Sequence, residues 1–330
     1  MNILFVTQTT ELGPASRYRV HQFLPALEQA GAHCEVSPVI RDGEYADYFE
    51  GSKLTKLRYL PVIYSRRRRD VNRFKEFDVV FVQKQFFPLD WPHWNFPARL
   101  VYDIDDAVFG RATERLLRAS ALVFAGNEFL AEYARRFARD VMVMPTIVDT
   151  ERFRPASARG AQDGCTLGWI GSRTTIKYLE MLRPLLAEPS GHRVRVVSSH
   201  PPGFPCEFVR WSLESEVEQV QSMDIGLAPL ADTPWERGKC GLKTLQYMAC
   251  GIPVIASPVG VQRTFIEQSG AGLLAASLDQ WREKIRWLAG HPEEQRTMGA
   301  KGRKFVEENY SLRTWAQHWV DALTALAGRR

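Results

Sequence analysis

The stretch Gly238-Lys-Cys-Gly-Leu-Lys-Thr-Leu-Gln-Tyr-Met-Ala-Cys-Gly-Ile-Pro-Val-Ile-Ala-Ser-Pro-Val-Gly260 decides the fold of this 330-residue chain. It opens as a glycine-bearing loop and continues at helical spacing through Leu242–Cys250. Gly251 stops the helix, and Val254–Ala256 follows as a buried strand. Loop, helix and apolar strand in that order make one repeat of a parallel α/β sheet. A helix start behind a glycine loop presents free backbone N–H groups and a positive dipole end. Lys239 and Lys243 add charge there, which suits a diphosphate; a solvated basic helix start is the alternative.

Working outward, the same rhythm fills both halves. Ile3–Val6, Cys34–Val36, Val79–Val82, Leu100–Ile104, Ala121–Ala125 and Val141–Met144 are short apolar runs, read as strands. Helical spacing joins them at Val20–Leu27, with Gly31 as a stop, and at Asn127–Ala138. Pro145 to Pro155 breaks the pattern. A second series follows at Leu167–Ile170, Val194–Val197, Phe208–Trp211, Ile225–Ala228, Val254–Ala256 and Gly272–Leu274. Helices are expected at Thr174–Ala187, 278–289, 293–309 and 312–327. The expectation is two tandem Rossmann-like α/β domains, 1–150 and 151–310, with a final helix over 311–330. Open α/β sheets bind ligands beyond the carboxyl ends of their strands, and two facing sheets make a cleft.

Composition is compatible with this. Hydrophobic residues make 45% and charged residues 25% of the chain, which excludes disorder and a membrane bundle. The formal charge of +5 is too small to point to nucleic acid. Five scattered cysteines without a CxxC argue against disulfides or zinc. The short N-terminal apolar run reads as a strand rather than a signal peptide, so a cytoplasmic location is expected.

Ala249-Cys-Gly-Ile-Pro-Val-Ile-Ala-Ser257, preceded by Ile225-Gly-Leu-Ala-Pro-Leu230, resembles the donor half of family 4 glycosyltransferases, the GT-B, group 1 type. Met144-Pro-Thr-Ile-Val-Asp-Thr-Glu-Arg-Phe153, Gly168-Trp-Ile-Gly-Ser-Arg-Thr-Thr-Ile-Lys177, Met298 to Glu307 and Tyr310-Ser311 fit the same family in order. The resemblance covers 145–330 well and 1–144 loosely. It implies a nucleotide sugar held between two Rossmann-like domains. It also implies retention of anomeric configuration with no essential metal or cofactor, and a last helix returning to the first domain.

Carried over residue by residue, Lys177 falls at the diphosphate lysine of the phosphate loop that begins at Gly171. Ser172 stands where the family has arginine, and Arg173 or the hydroxyls of Ser172 and Thr174 are its substitutes. Cations there neutralise charge growing on a leaving diphosphate. Two family glutamates, for donor sugar and ribose hydroxyls, fall on Gly238 and Gln246. Gln246 keeps hydrogen bonding without charge, and Glu236 is the nearest carboxylate to the missing one. Gly241 and Lys243 belong to the same helix start.

In the first half, Tyr102-Asp-Ile-Asp-Asp106 puts three carboxylates at a strand end, although aspartate is depleted in strands. Asp105 falls where the family often has histidine. Asp105 and Asp106 are read as contacts for the acceptor hydroxyl, or as helix caps. Gly13 allows close backbone approach, and Arg17 and Arg19 beside it are candidates for acceptor or diphosphate. Trp91 and His93 lie in the aromatic loop Phe86–Phe96, read as a sugar or lipid contact or as packing. No histidine spacing suggests a metal. Between Lys53 and Lys75 stand nine Lys/Arg and one acid, Asp70: a solvated helix, or a dock for an anionic membrane surface at the inner face of the cell membrane. No nucleic-acid motif accompanies the run.

The function expected is a glycosyltransferase moving a sugar to a saccharide or lipid-linked acceptor in cell-surface polysaccharide or glycoconjugate synthesis. A nucleotide-sugar epimerase of the same architecture and an inactive nucleotide-sugar-binding protein are its rivals. A dinucleotide oxidoreductase would need a GxGxxG after a first strand, which is missing.

Overall fold

The computed structural model describes residues 1–89, 94–157, 164–188 and 191–328. The chain divides into two compact units. One contains Met1–Thr146, Gly238–Cys240 and the stretch from Trp315; the other contains Ile147–Arg237 and Gly241–Thr314.

The first unit is built on six parallel strands: β1 (Asn2–Thr9), β2 (His33–Ile40), β3 (Val79–Gln83), β4 (Leu100–Ile104), β5 (Leu122–Ala125) and β6 (Val141–Val143). They lie in the order β2-β1-β3-β4-β5-β6. β3, β4 and β5 are buried along their whole length, as continuous apolar runs covered on both faces must be. Phe5 of β1 stands opposite Phe81 of β3 in the register. On that face Trp319 of the helix Leu312–Gly328 stacks on Phe23 with ring centres 4.1 Å apart. It also meets Phe124 at 4.9 Å and Phe81 at 5.3 Å.

The second unit repeats the plan with β7 (Thr166–Ile170), β8 (Arg193–Ser198), β9 (Glu207–Arg210), β10 (Ile225–Ala228), β11 (Val254–Ala256) and β12 (Gly272–Leu274). Their order is β12-β11-β10-β7-β8-β9, again parallel. The helix Pro292–Asn309 lies so close to the helix Leu242–Ala249 that a methyl group at Gly299 would overlap the Gly251 carbonyl. Arg303 reinforces that packing by donating to Phe153 O at 2.6 Å, Ala249 O at 2.8 Å and Thr150 O at 3.0 Å.

Every strand expected from the sequence is present, and the doubly wound α/β class holds. The expected single helix over Thr174–Ala187 is broken instead. A 3₁₀ turn at Arg173–Thr175 leads into the helix Ile176–Glu180, and a second helix runs from Arg183 to Leu186. Pro184 explains the break: it lacks an N–H, and its ring excludes the carbonyl four residues earlier, that of Glu180.

In each sheet the strand order reverses once, between β1 and β3 in the first and between β7 and β10 in the second. Loops after these strands leave in opposite directions and open a crevice. The Gly13 loop and Lys84 follow β1 and β3. Gly171 and the stretch through Glu236 follow β7 and β10.

Trp319 is 1% exposed, so Trp319→Ala removes the centre of an aromatic cluster. It should cost roughly 3–5 kcal/mol in chemical denaturation; a loss below ~1 kcal/mol would show that this helix does not complete the core.

Candidate active site

The acids of the first unit stand at the carboxyl end of β4. Asp103 is the deepest, fully buried and gripped by Arg19, whose Nε lies 3.1 and 3.2 Å from its two oxygens. Burial pushes the Asp103 carboxyl up to about 6, against the pull of the arginine. Arg19 also donates to Met144 O at 2.5 Å and is 1% exposed. Arg17 is 6% exposed and donates to Glu11 O at 2.7 Å, bracing the Gly13 loop from inside. Both arginines read as acceptor contacts therefore have internal partners. Gly13 is required by space: a methyl group there would overlap the Thr9 hydroxyl.

Asp105 and Asp106 follow β4. Lys84 bonds Asp106 and stands 3.9 Å from Asp105 Oδ1, while Lys239 Nζ is 3.4 Å from Asp106 Oδ1. Burial raises the Asp105 carboxyl above its usual range, with Lys84 opposing. Burial also pushes on Asp106, but Lys84 and Lys239 outweigh it and hold that carboxyl below its usual range. The two neighbours are thus driven apart in acidity. Lys239, expected at a diphosphate, has Asp106 as a neighbour. Asn127 caps the helix Glu128–Ala134 and donates to Gly238 O at 3.0 Å and Lys239 O at 3.2 Å. Cys240 Sγ donates to Asp105 O at 3.2 Å, and burial pushes its thiol up to about 12. A methyl group at Gly238 would meet Ala107 at 2.7 Å, which accounts for glycine where the family has glutamate.

In the second unit the loop after β7 carries exposed Ser172, Arg173 and Thr174, with the Ser172 and Thr174 hydroxyls 2.9 Å apart. Gly171 is hemmed in: a methyl group there would meet the Trp169 ring at 2.5 Å. Gly241, at φ +70°, turns the chain into the helix Leu242–Ala249, a backbone that favours glycine. Lys243 in its first turn lies 4.5 Å above the Trp169 ring and 3.3 Å from Thr175 Oγ1. Lys177 is 64% exposed, 4.8 Å from the Tyr178 ring centre and 3.9 Å from Glu236 Oε1. Gln246 is buried and donates to Glu216 Oε1 at 3.3 Å. Glu216, itself buried, also meets Arg152 at 3.3 Å.

Sequence reasoning missed Lys84, Asn127, Glu216 and Trp169. Asn127 as the cap before Glu128 was the one findable signal. Trp91 and His93 lie outside the described residues. Among the described residues, no group of three or more His, Cys, Asp or Glu is placed to hold a metal ion, and no helix is long and apolar enough to cross a membrane.

The basic run is less available than it reads. Arg67 is buried, pairs with Asp70 at 3.0 Å and donates to Thr7 O at 2.7 Å. Arg66 is held by Glu44 at 2.6 and 2.8 Å, and Arg73 by Glu35 at 2.5 and 2.7 Å. Lys53, Lys56, Arg58, Arg68, Arg69 and Lys75 remain exposed.

Burial raises the Glu236 carboxyl, but hydroxyl donors Thr233 and Tyr178 outweigh it and hold the group below its usual range. A lowered folded value means stability that is present above pH 4.5 and lost as pH falls through the folded value. Below pH 4.5 the stability gap between wild type and Glu236→Gln should therefore narrow, as measured by denaturant unfolding across pH; a gap independent of pH would refute the ionised, hydroxyl-bound Glu236.

Residues 173–321 match the family described as glycosyl transferase-like. Over 212 residues the chain is 26% identical to the D-inositol 3-phosphate glycosyltransferase of Segniliparus rotundus, covering 56% of this chain and 46% of that one. The chain spans less than half the length of the curated relatives it matches. Sucrose-phosphate synthase from Thermosynechococcus elongatus has the same fold, with TM-score 0.77, 16% identity and 98% of each chain covered. The Anabaena protein HepE, solved in complex with UDP-glucose, aligns with TM-score 0.70 and 14% identity over 98% of this chain and 100% of its own. With its two six-stranded parallel sheets the chain has the GT-B fold of these glycosyltransferases, and residues 173–321 carry the glycosyl transferase-like match.

Proposed function

We propose that the chain transfers a sugar, with retention and without an essential metal, from a nucleotide-diphosphate sugar to a saccharide or lipid-linked acceptor in glycoconjugate synthesis. The observation that carries the reading is the convergence of Lys243, the Ser172–Thr175 hydroxyls and exposed Lys177 at the strand-order reversal of the second unit. Ammonium groups and hydroxyls are the donors a diphosphate needs, and they act most strongly where charge grows on the leaving group. The similarity to HepE, solved with UDP-glucose, supports a nucleotide sugar as donor.

In this reading the anomeric C–O bond to the diphosphate breaks, and its electron pair leaves with the nucleoside diphosphate. The acceptor oxygen forms the new bond, and its proton passes to the departing phosphate. Asp105 orients the acceptor hydroxyl by accepting its hydrogen bond. Glu236, held by Thr233, Tyr178 and Lys177, supplies the carboxylate that Gly238 cannot, toward donor sugar hydroxyls. Gln246 with Glu216 addresses the ribose.

Thermal-shift screening against UDP-, GDP-, ADP- and dTDP-sugars tests the donor class, because binding to the native state raises apparent stability. Lys177→Ala and Lys243→Ala should each weaken nucleoside-diphosphate binding by ~1.5–3 kcal/mol in calorimetry. Unchanged affinity in both variants would remove these residues from the donor site. Rapid epimer formation without acceptor would replace transfer by epimerisation.

A membrane-facing acceptor side has its own observation. On the helix Lys53–Arg58, Leu54 is 73% and Leu57 58% exposed, among Lys53, Lys56 and Arg58. Exposed leucines interleaved with cations fit the surface of an anionic bilayer, with about 1 kcal/mol from each basic residue near it. Co-sedimentation with phosphatidylglycerol vesicles should fall several-fold in the Leu54→Ser, Leu57→Ser double variant. If wild type ignores these vesicles at low salt, the membrane reading is wrong.

A further inference from the structure

Lys84 is the single described non-glycine residue with positive φ, at +59°. The chain makes a three-residue turn around it, with Gln85 N–H donating to Gln83 O at 2.7 Å. A left-handed backbone costs a non-glycine residue roughly 1–2 kcal/mol. Such strain persists only where the surroundings over-determine it, and it gathers at functional sites. Here β4 does the determining: Lys84 N–H donates to Asp103 O at 2.7 Å, and Tyr102 Oη donates to Lys84 O at 2.6 Å. The strand that carries the acids therefore holds both backbone groups of the lysine that reaches them.

We propose that Lys84 is a positioning residue for the acid pair: its left-handed turn delivers the ammonium group to Asp106 and leaves Asp105 Oδ1 as the open position for an acceptor hydroxyl. The role as acceptor contact rests on the sugar-transfer reading above; the clamp itself does not. Asp105 Oδ1 is buried without a hydrogen-bond partner, whereas Asp106 is bonded by Lys84 and Lys239. A carboxylate oxygen left this way is costly unless something donates to it.

The charged and titratable groups facing the pair are Lys84, Lys239, Arg19, Asp103, Tyr102 and Cys240. Arg19 is committed to Asp103, and burial keeps the Cys240 thiol protonated. Lys84 is thus the cation nearest to both members of the pair. Burial disfavours its charge, but Asp105 and Asp106 outweigh that and hold its pKa above the usual lysine range. A glycine at this position would adopt the turn without strain and could not clamp anything.

The test uses the full chain, with carboxyl carbon-13 NMR titration of the Asp105 and Asp106 signals assigned through Asp→Asn variants. Lys84→Met should move the pair's midpoints upward by about 1–3 pH units, the effect of losing a nearby opposite charge. Lys84→Arg should restore them. Lys84→Gly, which adopts the turn without strain, should show the same shift, so the proposal stays testable if the Met variant fails to fold. With a donor and acceptor in hand, the acid limb of kcat/KM should move upward in parallel while donor KM holds. Midpoints equal to wild type in both Lys84→Met and Lys84→Gly would overturn the clamp. A wild type that turns over no donor would sink the sugar-transfer reading, and the titration would still decide Lys84.

Discussion

One buried charge pair orders the first unit. Asp103 lies inside the sheet, and burying a lone carboxylate costs several kcal/mol. Arg19 offsets that cost with a two-pronged grip. The same guanidinium reaches Met144 O just past β6. One cation therefore fixes the helix Pro14–Arg19, β4 and the exit of β6 together. Ser16 of that helix reaches Gln83 at 2.9 Å, the last residue of β3, so the Gly13 loop and the Lys84 turn inherit their places from the same anchor. Without Arg19, Asp103 would have to take up a proton or draw in water, and the acids beyond it would lose their base.

The two units solve a common problem with different chemistry. Each gathers its polar side chains beyond the carboxyl ends of its strands, where a doubly wound sheet binds ligands. The first unit collects carboxylates there and tempers them with Lys84 and Lys239. The second collects hydroxyls and lysines, with Glu236 as the tempered acid. The acidities of Asp105 and Asp106 are pushed in opposite directions by unequal access to the same two lysines, a common way for neighbouring carboxyls to divide their roles.

Legibility from sequence followed the physics of each feature. Buried parallel strands are continuous apolar runs, so all of them could be read directly. Helix interruptions were less visible: Pro184 was in plain view, but the spacing around it kept its helical period. Charged residues were the hardest. Arg17, Arg19 and Arg67 look like surface residues, yet each is buried on backbone carbonyls or a carboxylate, and only the fold shows where those partners are. Lys84 had no signal, because a left-handed turn at Gln83-Lys84-Gln85 contains no glycine or asparagine to mark it. Glu216 was equally silent, a lone glutamate on a short helix whose partners Gln246 and Arg152 come from distant segments.

The stack of Trp319 on Phe23, Phe81 and Phe124 bears on how the molecule is made. The first unit's sheet ends at β6, yet the ring that fills its core arrives after the entire second unit. A ribosome must therefore release the chain through Trp319 before the first sheet can close over that aromatic side chain. Until then Phe5, Phe81 and Phe124 lack their cover, and exposed aromatic surface of this kind invites chaperone binding or aggregation. The second unit, continuous apart from one tripeptide, faces no such delay. Late-synthesised residues thus govern the maturation of the early half.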